Sequence, residues 1–173
     1  KYGIIYDAAL FRQLERDLPR LVRREPKMLT AVVARCCQIK AEVVGRDETE
    51  VGPRQILNFG DTIGNALVAI SRYGKFLHGE AISIGQIARA KLSQKFSGLT
   101  GKDVERITAL FKRAGLPTES KFNAAQRTKL FAAMRLDKKV SGGEIKFVLA
   151  MRIGRVVWSQ RVPDRAIHEV LSE

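Results

Sequence analysis

The chain has 173 residues, of which 45% are apolar and 28% charged, a balance that fits one packed domain and excludes a disordered or fibrous chain. Lysine and arginine number 31 against 18 acidic residues, a formal charge of +13, and a field of that sign favours anionic partners: phosphorylated metabolites, nucleic acid or an acidic protein. The two cysteines, Cys36 and Cys37, are sequence neighbours and cannot staple a fold. A reducing cytoplasm is therefore expected, and no uncharged run reaches the ~18 residues that would span a bilayer.

Lys1 opens the chain inside an apolar stretch, KYGIIYDAALF, with no helix cap ahead of it, which reads as a piece of something longer. Apolar residues from Ile4 to Leu18 recur with a helical period, and Pro19 limits that helix. A second helix is predicted over Pro26 to Arg46, its stripe made of Met28, Leu29, Val32, Val33, Cys36, Ile39, Val43 and Val44, with the cysteines as core residues. DETEVGPRQ reads as a loop. LNFGDTIGNALVAI, Gly79 to Phe96 and Thr100 to Ala114 carry helical spacing, and Gly115 with Pro117 forms a stop. Asn123 is a candidate cap for a helix over Ala124 to Met134. From Ile145 the period changes to alternation through Phe147, Leu149, Val156 and Trp158, which predicts a β-hairpin turning near Gly154, and Pro163 opens a last helix to Leu171. The expected fold class is mainly α, six to eight helices with one small hairpin over residues 145–160.

Arg54 to Glu80 is the unusual stretch, because polar residues and glycines interrupt what should be a core helix. Glycine in a helix costs ~1 kcal/mol relative to alanine, so Gly60 and Gly64 need a reason, the close approach of a backbone or a ligand. Helical spacing would bring Asn58, Asp61 and Asn65 onto successive turns, with His78 folding back onto that face. One imidazole and one carboxylate are a thin set for a divalent metal, since structural zinc sites use four protein ligands and catalytic ones three. The plainer expectation is that Asp61 caps a helix or pairs with a base, that His78 bonds within a loop, and that His168 lies on the surface. Neither GxxxxGK nor GxGxxG occurs. Arg54, Lys138 and Lys139 are candidates to meet an anion, the lysine pair lying in a loop where such pairs are commonly solvated.

These residues resemble a known family. LNFGDTIGNAL followed by RYGKFLHGEAISIG resembles the LNxGHTxGHAxE and YGxxLHGEAVAxG signature of 3-dehydroquinate synthases. KYGII, RCCQIKAEVVGRDETEVGPR, KRAGLP and LDKKV look like its further landmarks in order. The resemblance implies the helical C-terminal domain of an enzyme of aromatic amino-acid biosynthesis. That enzyme's NAD oxidises a seven-carbon sugar-acid phosphate, which loses phosphate, is reduced again and cyclises. It further implies a divalent metal (zinc or cobalt), a separate N-terminal NAD-binding domain absent from these 173 residues, and dimers. Lys1, Lys40, Glu50, Arg54, Asn58 and Lys138 or Lys139 match family positions of the substrate pocket, and Asp61 and His78 match metal ligands. A further ligand, a glutamate three residues before Lys1, would fall outside the chain. Cations and amides can hold phosphate and carboxylate, while imidazole suits a zinc-like Lewis acid.

Three positions depart from the signature. Its two histidines are here Asp61 and Asn65, and its glutamate is Val68. A carboxylate shifts preference toward harder ions, Asn65 cannot move a proton, and Val68 removes a group that could orient a neighbour. The expected function is thus a cyclase-like domain, inactive as this chain, with an altered metal site. The alternative is a degenerate basic domain binding nucleic acid or an acidic partner. Its cations are spread over every predicted helix without interleaved aromatics, which makes nucleic acid the weaker choice.

Overall fold

The computed structural model describes residues 1–71, 76–136, 140–141 and 144–172. Among them are α1 (Tyr2–Ile5), α2 (Ala8–Val22), α3 (Pro26–Arg46), a 3-10 helix (Pro53–Asn58), α4 (Asp61–Ile70), α5 (His78–Phe96), α6 (Gly101–Arg113), α7 (Ala124–Arg135) and α8 (Asp164–Val170). The strands are β1 (Val140–Ser141), β2 (Glu144–Arg152) and β3 (Arg155–Arg161), paired antiparallel in the order β1-β2-β3. A mainly helical chain with a hairpin turning at Gly154, whose φ is +88, matches the expectation.

Helix starts follow cap chemistry. Thr100 and Asn123 accept from the backbone N–H of Asp103 and Gln126, and Gln126 returns a bond to the Asn123 N–H, closing a capping box. The single helix expected over Ile4 to Leu18 is instead two. Asp7 accepts from the Leu10 N–H and starts α2 afresh, so a residue read as interior is a cap. Nor does Pro19 end α2, which runs to Val22. Proline withholds the N–H that would reach the carbonyl four residues back, and that carbonyl, Glu15 O, accepts from Arg113 Nη2 of α6 at 3.0 Å. The Glu15 carboxylate also takes two bonds from Arg106, at 2.7 and 3.0 Å.

Helix α5 is buried on every side from Ala81 to Ala90, the pattern of a central helix. With β2 it separates two apolar clusters. The first gathers Ile4, Phe11, Leu18, Ile39, Ile107 and Leu110 around Ile87, Val148 and Ala150. The second gathers Ile63, Leu67, Leu130, Met134 and Ile167 around Ile84, Phe147 and Leu149. Because β2 is covered on both faces, Val148 and Ala150 are buried as well as Phe147 and Leu149, and the simple alternation read from the sequence fails there. Register shifts flank Leu149 and Ala150, and Trp158 ends 37% exposed. Ser93 of α5 and Ser97, its C-cap, hold β2 in place: the Ala150 N–H donates to Ser93 Oγ at 2.8 Å, and Ser97 Oγ donates to Ala150 O at 3.1 Å.

Helix α3 corrects a second expectation. Only Ile39 and Val43 of its stripe are buried, whereas Leu29 is 40% and Val33 52% exposed. Cys37 is exposed, which corrects the expectation for it, while Cys36 is half-buried and packs against the edge of the first cluster. The cause is placement, since the buried part of α3 is confined to its C-terminal half.

Candidate functional site

The segment between α3 and α4 is organised by Asp47. Its buried carboxylate accepts from the N–H groups of Val51, Gly52 and Arg54 at 3.2, 2.9 and 3.0 Å. Burial pushes its pKa up, and the backbone donors of Arg54, Gly52 and Val51 more than offset this, holding it below the usual carboxylate range. The turn places Glu50 at φ +62, where its Oε1 accepts from Asn58 Nδ2 at 2.6 Å. Arg54 Nη1 donates to Glu48 O at 2.6 Å. Asn58 therefore ends the 3-10 helix rather than sharing a helical face with Asp61, which corrects the continuous helix read through LNFGDTIGNALVAI.

The chain turns at Gly60 (φ +89) to start α4. A Cβ at Gly60 would lie 2.9 Å from the Gln86 N, and one at Gly64 would lie 2.9 Å from Ile82 Cα. Gly85 reciprocates, since its Cβ would run into Gly60 O. These glycines let α4 and α5 touch backbone to backbone, so Gly60 and Gly64 seat a helix rather than floor an open cleft.

Asp61 projects from the first turn of α4, the favourable end for a carboxylate. Lys1 Nζ donates to its Oδ1 and, at 2.9 Å, to Leu57 O. The two side chains are 21% and 23% exposed. Pairing with a base was the plainer of the two expectations for Asp61. Against Gly60 lies Gln86, whose Oε1 is buried without a hydrogen-bond partner among the described residues. Arg89, one turn on, is fully buried, and its Nε, Nη1 and Nη2 also have no hydrogen-bond partner. Its guanidinium carbon sits 3.7 Å from the Phe147 ring centroid. Burial lowers its pKa to about 9, with the charge of Asp61 acting in the opposite sense.

The other expected site residues are placed as follows. Asn65 is exposed on the next turn of α4, and Val68 is exposed beyond it. His78 is the exposed first residue of α5, and no hydrogen bond joins it to Asp61. Lys40 is exposed on α3. Lys138 and Lys139 lie outside the described residues. His168 is exposed as expected, stacked on Phe131 at 3.5 Å. No group of three His, Cys, Asp or Glu side chains converges among the described residues, and the one carboxylate at a ligand position already holds an ammonium. The donor set does not fit a divalent metal. Gln86 and Arg89 are not among the residues the sequence singles out, and their only signal is a glutamine and an arginine three apart inside the stretch AISIGQIARA.

Comparison with known proteins identifies the family. The family described as 3-dehydroquinate synthase C-terminal matches residues 1–140. The 3-dehydroquinate synthase of Nostoc punctiforme is 40% identical over 173 residues, covering 99% of this chain and 47% of its own length. That of Acidithiobacillus ferrooxidans is 41% identical over 171 residues, 99% of this chain and 46% of its own. The chain thus spans about half the length of the curated relatives it matches. Among solved structures, 2-epi-5-epi-valiolone synthase from Streptomyces hygroscopicus subsp. jinggangensis, with NAD+ and Zn2+ bound, superposes with a TM-score of 0.86 at 24% identity over 98% of this chain and 47% of that one. A 2-deoxy-scyllo-inosose synthase complexed with carbaglucose-6-phosphate, NAD+ and Co2+ gives 0.69 at 24% identity over 85% and 41%. On the family match, which spans residues 1–140, the chain belongs to the 3-dehydroquinate synthase C-terminal family.

Proposed function

We propose that this chain is the substrate-side domain of a 3-dehydroquinate-synthase-like cyclase, that it receives a phosphorylated sugar acid beside Lys1 and Asp61, and that it does not turn that substrate over by itself. The observation that carries this reading is the Lys1–Asp61 ion pair standing where the family signature has a metal-binding histidine. The sheet here is antiparallel and offers no strand–glycine loop–helix unit for a pyrophosphate, so NAD needs the amides of a separate dinucleotide domain. Asn65, a neutral amide where the signature has imidazole, gives no route for a proton. What this chain contributes is binding and orientation. The Lys1 ammonium and the N–H groups of Arg54 are donors for phosphate or carboxylate oxygens, and Asp47 fixes the loop that carries Arg54. A homodimer remains part of the proposal by family likeness.

Calorimetry with the seven-carbon sugar-acid phosphate, paired with an assay of phosphate release in the presence of NAD, tests the reading. Saturable binding without release is expected. Multiple turnovers by the unmodified chain would overturn the proposed inactivity, and absence of binding would overturn the substrate class.

A further inference from the structure

The metal-ligand position and the side chains around it disagree with a metal site in a consistent direction, because the positive charge is already there. Lys1 Nζ holds two acceptors, Leu57 O and Asp61 Oδ1, as a small cation would, and an ammonium has three N–H groups. The third is left for a ligand, on a side chain that keeps 21% of its surface in solvent. Helix α5, against which Gly60 and Gly64 pack, carries Arg89, a buried guanidinium with none of its nitrogens hydrogen-bonded among the described residues. An arginine placed this way is expensive to bury. Phe147 offers it the face of a ring, and Asp61 is the charge that acts on it.

We propose that Lys1 and Arg89 are the resident cations of this site, replacing a divalent ion, so that the site takes a phosphate-bearing ligand without any metal. One carboxylate, paired with Lys1 and felt by Arg89, leaves a net charge of +1 on the three groups. Lys1 touches the ligand through its free N–H. Arg89 acts through Asp61 as a positioning residue: its charge keeps the carboxylate turned inward, and the carboxylate orients the ammonium. The proposal rests on the substrate-side reading above, but its test uses a simpler probe.

Inorganic phosphate is titrated calorimetrically into the protein at its natural length, first in EDTA and then with added zinc. Binding is expected in EDTA, with an affinity that zinc changes less than twofold. Lys1→Gln should weaken phosphate binding at least tenfold. Arg89→Met should weaken it three- to tenfold while raising the melting temperature, a combination that a purely structural arginine would not give. Arg89→Lys, which keeps a buried charge, should recover part of the affinity. Phosphate binding that appears only with zinc, no binding in EDTA, or a Lys1→Gln variant with unchanged affinity would each overturn the proposal. If phosphate binds without metal but the sugar-acid phosphate binds no better, the charge replacement stands and the substrate class fails.

Discussion

Replacing Arg89 with methionine should make the protein more stable. The arginine is fully buried, its three nitrogens have no hydrogen-bond partner, and burial lowers its pKa to about 9. A drop of that size from the ordinary guanidinium range corresponds to about 5 kcal/mol held against the charged form. The Phe147 ring, 3.7 Å away, returns about 2 kcal/mol as a desolvated cation–π contact, which leaves roughly 3 kcal/mol. Methionine removes the charge, keeps a sulfur against the ring, and forfeits about 1 kcal/mol to imperfect filling. The expected gain of about 2 kcal/mol corresponds, for a chain of this size, to a melting temperature higher by roughly 4–8 °C. The pH dependence supplies a second check. Below about pH 9 Arg89 is charged in both folded and unfolded states and the full penalty applies. Above it the folded protein releases the proton first, so wild-type stability rises with pH and the gap to Arg89→Met narrows. Differential scanning calorimetry between pH 7 and 10.5 reads both effects. A variant that melts below the wild type at pH 7, or a gap constant across that range, would refute the reasoning.

Gly85→Ala should destabilise by about 1–3 kcal/mol in urea denaturation, because the added methyl meets Gly60 O and the Gly64 N where α4 and α5 touch. Arg113→Met should cost about 1 kcal/mol by the same measurement, since it leaves Glu15 O, already deprived of a donor by Pro19, without its bond. The Asp47 carboxyl is held below the usual range, so its contribution is present at neutral pH and is lost as pH falls through its folded-state value. Protection factors against hydrogen exchange at the Val51, Gly52 and Arg54 amides should fall in acid and, at neutral pH, in Asp47→Asn. NAD should show no micromolar binding to this chain in calorimetric titration, as the sheet presents no dinucleotide unit.

Much of the helical order is legible in the residues themselves because caps and stops are local chemistry. Asn123 and Thr100 mark ends that their side chains enforce, Pro163 one that its ring enforces, and Gly115 one that its positive φ of +76 permits. The misreadings came where a distant residue decided the outcome. Pro19 looks like a terminator until Arg113, far along the chain, takes the orphaned carbonyl. The stripe on α3 has a helical period but is fully buried only at Ile39 and Val43, and periodicity says nothing about what faces it. At the site, the glycines were legible as a close approach, though not which approach, and the resemblance pointed to Asp61. Its partner Lys1 sits sixty residues away in sequence, a pairing that no local pattern carries. Arg89 was missed because a lone cation in a helix is ordinarily read as a solvated one.

In the proposed site Asp61 is held by the Lys1 ammonium rather than by a metal, and zinc content per chain tests that most directly. Elemental analysis of the purified protein, alone and as Asp61→His with Asn65→His, is the measurement. The unmodified protein should carry far less than one zinc per chain. The double variant, with two imidazoles at i, i+4 that no longer attract Lys1, should carry more. Tight, stoichiometric zinc in the unmodified protein would show that Asp61 ligates metal despite Lys1, and would contradict the account.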